Sequence, residues 1–462
     1  MRTLTRQGKL HTPRKNYRKP TWMPRGLWRL TALAVEVVEK AHSRWIIAAR
    51  CATQLATQLN PGMAIIDKTG QGETITEGWR ALDLFTDRHE EICLFSSYLR
   101  QDPPREKILF FHGDGGNGKS LLLRALRKQM ENPESTETVP SAFLDFGMQP
   151  YGDDRPQEPF NGLAMLWRTL AAHGLHFPLY GFACISYLQK TRKLIRDRLR
   201  NIFPAEKMDF LIAVVDAIFE GGLGTLAKAA LSVFGKHLHL SESFTIYMQR
   251  RKVSQKEVED IQKMDAEPEL LDNLPHLFAT DLNAAMGTDT APKRVVLFFD
   301  THEAFWGHQR GLPDHLFFQR DEWLRRLLGS LEPRSGIVVV LAGREPPRWA
   351  EDWIPFRIPE ECIDVQLVGH LSDVDADEYL RRAEIADAAM RQRLVAYARA
   401  KPDQVHPNLL ALCAEVVLAA LGKGKILTPE DFQLGLDLAK KGKQLGKRLL
   451  SYSVGLSTRQ FT

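Results

Sequence analysis

One stretch constrains this chain more than any other. The apolar run Lys107-Ile-Leu-Phe-Phe-His112 leads into Gly113-Asp-Gly-Gly-Asn-Gly-Lys-Ser120, and the helical run Leu121-Leu-Leu-Arg-Ala-Leu126 follows. This is G-x-x-x-x-G-K-S in a strand–loop–helix context. Glycines at 113, 115, 116 and 118 permit the positive φ values that turn successive backbone N–H groups inward. With a helix N-terminus starting near Lys119, those amides form a cradle for an anion. In such a loop Lys119 reaches the β- and γ-phosphates and the Ser120 hydroxyl is placed to ligate Mg²⁺. A complete, correctly flanked motif of this kind predicts that a nucleoside triphosphate is held by Gly113, Asp114, Gly115, Gly116, Asn117, Gly118, Lys119, Ser120 and Leu121. A chance glycine-rich turn is the competing reading.

Two further apolar runs end in groups that suit the same chemistry. Lys293-Arg-Val-Val-Leu-Phe-Phe-Asp300 reads as a buried parallel strand that delivers a carboxylate at its tip. Placed beside the phosphate loop, Asp300 would hold Mg²⁺, usually through its waters; a helix cap at a strand end is the alternative. In Thr301-His-Glu303, Glu303 is the candidate for orienting or deprotonating an attacking water, against an ordinary acid at a helix start. His302 reads as a packing or polar rim residue rather than a ligand. Gly336-Ile-Val-Val-Val-Leu-Ala-Gly343-Arg344 reads as a third strand, from which Arg344 would sense a γ-phosphate through its fork of donors, or else form a structural ion pair. Arg325 and Arg326 are weaker arginine-finger candidates, and a solvated helical face is the favoured reading for both.

The rest of the chain bounds the setting. A length of 462 residues allows roughly two to four domains. The five cysteines are widely spaced with no Cys-x-x-Cys, which argues against a disulfide framework and a zinc knuckle and fits a reducing cytoplasm. The most apolar stretch, 210–234, is interrupted by Asp216, Glu220 and Lys228, so no membrane span is expected. It reads either as a buried helical hairpin or as a partner- or membrane-binding surface. Residues 1–35 carry nine Lys/Arg and no acid, leaving the remainder with 53 basic against 57 acidic residues. That tail would bind nucleic acid or an anionic surface, or is a solvated leader, or precedes a true start at Met23. Spacing predicts a helix over 27–59, ended by Pro61-Gly62, then a polar connector to residue 80. Between about 120 and 290 the pattern is mostly helical.

Together the loop Gly113–Ser120, Asp300-Thr-His-Glu303 and Ala342-Gly-Arg344 resemble the STAND class of signalling NTPases, which includes the NACHT and NB-ARC ATPases. The NACHT type places a small residue after the metal Asp and an acid at the third position, whereas AAA+ ATPases usually place the acid directly after the Asp. Leu84-Phe-Thr-Asp-Arg88 is similar to the Phe-x-Gly-Arg motif that such ATPases carry near the nucleotide base, with Asp87 at the glycine position. Val365-Gln-Leu-Val-Gly-His-Leu371-Ser-Asp-Val-Asp-Ala376 resembles the strand-to-helix entry of their helical lid, with Ser372 and Asp375 opening the helix. Val405-His-Pro407 resembles the lid's Gly-x-Pro motif, whose proline packs beside the nucleotide, with Val405 at the glycine position. The resemblance covers about residues 81–425.

It implies an α/β fold: a three-layer α/β/α P-loop NTPase with a parallel sheet over 81–350, a helical insertion at about 165–285, and a helical lid over 351–425. A C-terminal helical segment, 426–462, would open at Thr428-Pro-Glu-Asp. The implied activity is Mg²⁺-dependent ATP hydrolysis by a cytoplasmic molecular switch. Lys119, Glu303 and Arg344 would be catalytic, Arg88 and Pro407 nucleotide-contacting, and Ser120 and Asp300 metal-binding. Its partners would be ATP or ADP together with other copies of the chain or a signalling protein, in regulation or defence. ATP is favoured over GTP because no Asn-Lys-x-Asp motif occurs. Two alternatives are a DNA-associated AAA+-like motor or loader using the basic tail, and a scaffold that binds nucleotide without turnover.

Overall fold

Five short apolar segments align as one parallel sheet: β1 (Ile108–His112), β2 (Ser141–Asp145), β3 (Val295–Asp300), β4 (Ile337–Gly343) and β5 (Ile363–Leu367). Their spatial order is β2-β3-β4-β1-β5. This arrangement comes from a computed structural model that describes residues 78–130, 139–148, 155–191, 255–307, 309, 311–435 and 437–453. The basic tail, the predicted helix over 27–59 and the apolar stretch 210–234 lie outside the described residues.

Before the sheet come α1 (Gly78–Asp83) and α2 (His89–Arg100); α3 (Lys119–Met130) follows β1. After β2 come α4 (Pro159–Ala172), α5 (Pro178–Lys190), α6 (Gln255–Lys263) and α7 (Leu271–Met286). Between β3 and β4 lie α8 (Asp314–Gln319) and α9 (Glu322–Ser330). β1, β3 and β4 are buried on both faces because their side chains alternate between two apolar cores. Leu109, Phe111, Val296, Phe298, Val338 and Val340 pack against Phe95 and Tyr98 of α2 and against Leu122 and Leu126 of α3. Phe110, Leu144, Leu297, Phe299, Val339 and Leu341 pack on the other face with α4, α5, α7 and α9.

Three expectations change. A strand, β2, lies in the region read as helical: Ser141-Ala-Phe-Leu-Asp145 is five residues with only three apolar side chains, too weak a run to stand out. The helices expected as an insertion, those at 159–190 and 255–286, share the core of the sheet, so this part forms a layer of the fold. The sheet also continues past residue 350, because β5 pairs with β1 through Ile108↔Ile363 and onward to His112↔Leu367. The strand expected near Val365, at the entry to the helices, forms the edge of the sheet, alternately covered and exposed.

Beyond β5 a helical unit follows: α10 (Asp373–Arg382), α11 (Ala388–Ala398), a small hairpin of β6 (Arg399–Lys401) and β7 (Gln404–Val405), α12 (Pro407–Gly422) and α13 (Leu438–Ser453). It has its own apolar core, including Leu380, Leu394, Leu410, Val416 and Leu445. Ser372 caps α10 by accepting the Asp375 N–H at 3.1 Å, as the sequence suggested. Thr428 and Asp431 cap each other, yet they open only a single 3₁₀ turn, Pro429–Asp431. The helix expected there starts at Leu438, after Gly435 turns the chain with φ +87°. Among the described residues no helix is long and apolar enough to cross a membrane.

Candidate functional site

The strand order creates a crevice at one place. From β1 the chain crosses toward β2, whereas from β4 it passes β1 to reach β5. Connections that diverge from neighbouring strands leave an opening at the strands' C-terminal ends. The glycine loop leaves β1 there and Arg344 leaves β4 there. The two are fastened, since the Gly113 N–H donates to the Arg344 carbonyl at 3.2 Å. β3, which carries Asp300, is not the immediate neighbour of the loop strand; β4 lies between them.

Lys119 is buried at the first turn of α3 and donates to the Gly113 carbonyl at 2.6 Å and to the Asp114 carbonyl at 3.0 Å. Burial pulls its pKa below the ordinary lysine value, and the Glu303 and Asp300 carboxylates oppose that pull. The loop uses positive φ at Gly116 (+88°) and Gly118 (+85°), whereas Gly115 has no such requirement. At Gly116 glycine is needed twice over, because an added Cβ would sit 2.7 Å from His406 Cε1.

Asp300 is 1% exposed. Its Oδ1 accepts the Thr301 N–H at 2.8 Å, and its Oδ2 is buried with no hydrogen-bond partner among the described residues. Burial pushes the carboxyl up to about 6, the Ser120 hydroxyl draws it down, and the Asp145 charge adds to the rise. Thr301 is left-handed, φ +58°, and its hydroxyl donates to Asp145 Oδ1 at 2.9 Å. This turn leads into the 3₁₀ segment His302–Phe305, which presents Glu303. Glu303 Oε1 accepts Arg344 Nε–H at 2.9 Å, and its Oε2 accepts the Arg344 backbone N–H at 3.2 Å. Arg344 is therefore in the ion pair that the sequence left as the alternative to a phosphate sensor. Its side chain stays 53% exposed, and its guanidinium lies against Gly115.

The helical unit closes the other side. The Asn408 N–H at the start of α12 donates to the Gly116 carbonyl at 3.1 Å. Buried Arg88 donates to the Asn117 carbonyl at 3.1 Å and to the Gly369 carbonyl at 2.7 Å. Both Asp87 and Arg88 are left-handed (φ +67° and +70°), so the position where the resembled motif has glycine does require that backbone, and Asp tolerates it better than most residues. His406 caps α12 by accepting the Leu409 N–H at 3.3 Å.

These groups enclose a cavity of about 510 Å³. Arg88, Gly115, Gly116, Asn117, Gly118, Lys119, Ser120, Leu121, Asp300, Glu303, Arg344 and Pro407 all line it. Gly113 and Asp114 do not; they form the stem, and their carbonyls hold Lys119. Sequence reasoning missed Arg124, Tyr379 and Asn408, which also line the cavity. Arg124 sits one helical turn beyond Ser120 and Asn408 next to Pro407, so spacing could have found both; Tyr379 comes from α10 and carried no local signal.

Two other sequence readings resolve differently. His302 is a core residue, as expected, 4% exposed and bonded to Asp321 at 3.1 Å. Arg325 is not on a solvated face: it is fully buried, paired with Asp321 and donating to the Phe318 carbonyl at 2.8 Å. Arg326 pairs with Glu322 at 2.6 Å and Asp272 at 3.3 Å, and neither arginine lines the cavity. No protein-family model matches the chain, and no curated protein is similar to it.

Proposed function

We propose that the chain is a Mg²⁺-dependent P-loop ATPase, a molecular switch of the STAND type in which nucleotide state is coupled to the helical lid. One observation carries this reading: residues from three strand ends, Lys119 and Ser120 after β1, Asp300 and Glu303 at β3 and Arg344 after β4, line a single cavity that the lid closes through Pro407 and Asn408. The residues fit a hard cation, because a buried carboxylate oxygen lacking a hydrogen bond stands beside a serine hydroxyl. Ser120 and Asp300 would hold Mg²⁺, which when bound supplies charge neutralisation for the phosphates.

The chain's own groups divide the remaining work. The glycine-loop amides and Lys119 bind the phosphates, and Lys119 exchanges its carbonyl partners for phosphate oxygens. Glu303 accepts a hydrogen bond from the attacking water and orients it toward the terminal phosphorus. Arg344, already packed on the loop, stabilises charge on the departing phosphoryl group with guanidinium donors that Glu303 does not engage. The bond between the β–γ bridging oxygen and the γ-phosphorus breaks, and ADP and phosphate result. Because Asn408 is bonded to the loop itself, loop geometry and lid position are mechanically joined, which suits a switch whose output is self-association or a protein partner.

The test is nucleotide binding and turnover in wild type, Lys119→Ala and Glu303→Gln. We expect Lys119→Ala to weaken ATP binding about 10–100-fold, the worth of one or two charge-assisted hydrogen bonds. Glu303→Gln should retain binding and lose turnover. Wild-type affinity in Lys119→Ala would refute the site.

A further inference from the structure

Behind the cavity a buried carboxylate collects donors from both loops proposed to carry the chemistry. Asp321 lies at the N-terminus of α9 and is 1% exposed. Its Oδ2 accepts from His302 Nε2 at 3.1 Å and from Trp349 Nε1 at 2.8 Å. A carboxylate only accepts, so Nε2–H of the His302 ring is the donor in this bond. Oδ1 is paired with the fully buried Arg325, which neutralises the charge. His302 immediately precedes Glu303 on the loop after β3, and Trp349 lies five residues beyond Arg344 on the loop after β4. The two rings also meet edge-on, with centroids 5.1 Å apart. Arg325 in turn donates to the Phe318 carbonyl and so fixes α8 to the same point.

We propose that Asp321 is a positioning residue that fixes how the joined pair Glu303 and Arg344 is turned toward the cavity, by holding the loop of each through one carboxylate. The β3–β4 ladder fixes the strand ends as far as Phe299↔Leu341, and Glu303 itself reaches Arg344. Among the described residues the loops are not otherwise paired, so how the 3₁₀ turn His302–Phe305 and the segment after Arg344 are turned toward the cavity depends on side-chain anchors. A buried charge with its donors satisfied has one low-energy geometry, whereas apolar packing of the same volume tolerates several. Displacement of a reacting group by about 1 Å costs on the order of 100-fold in rate, so an anchor that never touches nucleotide controls turnover. The inference rests on the ATPase reading above.

The experiment measures nucleotide Kd and single-turnover hydrolysis for the full chain with Mg²⁺ and ATP. The variants are Trp349→Phe and His302→Phe, each of which removes one N–H while keeping an aromatic ring; His302→Gln, whose amide restores a donor near Nε2; and Asp321→Asn. We expect unchanged Kd in all of them. The rate should fall about 10–100-fold in Trp349→Phe, His302→Phe and Asp321→Asn, with substantial recovery in His302→Gln. Asp321→Asn strips a buried arginine of its counter-charge; should it fail to fold, the two ring variants decide. Wild-type rates in folded Trp349→Phe and His302→Phe overturn the inference, as does a His302→Gln rate no better than that of His302→Phe. If wild type binds and hydrolyses ATP while these variants are unaffected, only this inference is lost. If wild type neither binds nor hydrolyses ATP, the ATPase reading fails and this one falls with it.

Discussion

Asp300→Asn should stabilise the magnesium-free protein at neutral pH while abolishing turnover. The carboxyl has a folded-state pKa of about 6 against an ordinary value of 3.8, because burial disfavours its charged form. A raised acid pKa has a definite sign in the linkage. Below about pH 4 both folded and unfolded chains hold the proton and no penalty exists. Between about pH 4 and 6 the unfolded chain releases the proton while the folded chain retains it, so stability falls as pH rises. Above about pH 6 both are ionised, and the full penalty, about 3 kcal/mol for a rise from 3.8 to about 6, remains. Asparagine does not titrate, and its side-chain oxygen can still accept the Thr301 N–H that Asp300 Oδ1 accepts at 2.8 Å. With Mg²⁺ chelated, urea unfolding of both proteins from pH 4 to pH 7.5 should show the variant gaining about 2–3 kcal/mol on wild type across that range. A difference that stays flat with pH would mean that the carboxylate is well solvated, and the reasoning from its buried, unpartnered oxygen would fail.

Gly116→Ala should lower stability by about 1–3 kcal/mol, since alanine at φ +88° is strained and its Cβ would meet His406 at 2.7 Å; thermal unfolding checks the loss, and weakened nucleotide binding should accompany it. Arg88→Ala leaves the Asn117 and Gly369 carbonyls without their buried donor and should cost about 1–3 kcal/mol, together with faster amide exchange across the loop and the start of α10.

The parts legible in sequence were those set by local geometry. A strand, a glycine loop and a helix start are contiguous, so Ile108 to Leu126 could be read directly, and the tips at Asp300 and Arg344 ended unbroken apolar runs. What could not be read depends on partners distant in the chain. Arg325 looks amphipathic in its own helix and is buried only because Asp321 and the Phe318 carbonyl receive it. β2, short and less apolar, owes its strand state to the ladder with β3. The contact of Arg344 with Glu303 joins positions 41 apart in sequence, and no periodicity encodes it.

The sheet order has a consequence for how the chain is made. Both neighbours of β1 are supplied by β4 and β5, the first of which begins about 225 residues after β1 ends. At ribosomal speeds of about 5–20 residues per second, that interval lasts roughly 10–45 s. Throughout it, the Ile-Leu-Phe-Phe segment at 108–111 waits with both edges bare. Nascent chains halted before residue 337 should therefore bind chaperones through this segment and release them once β4 has been synthesised.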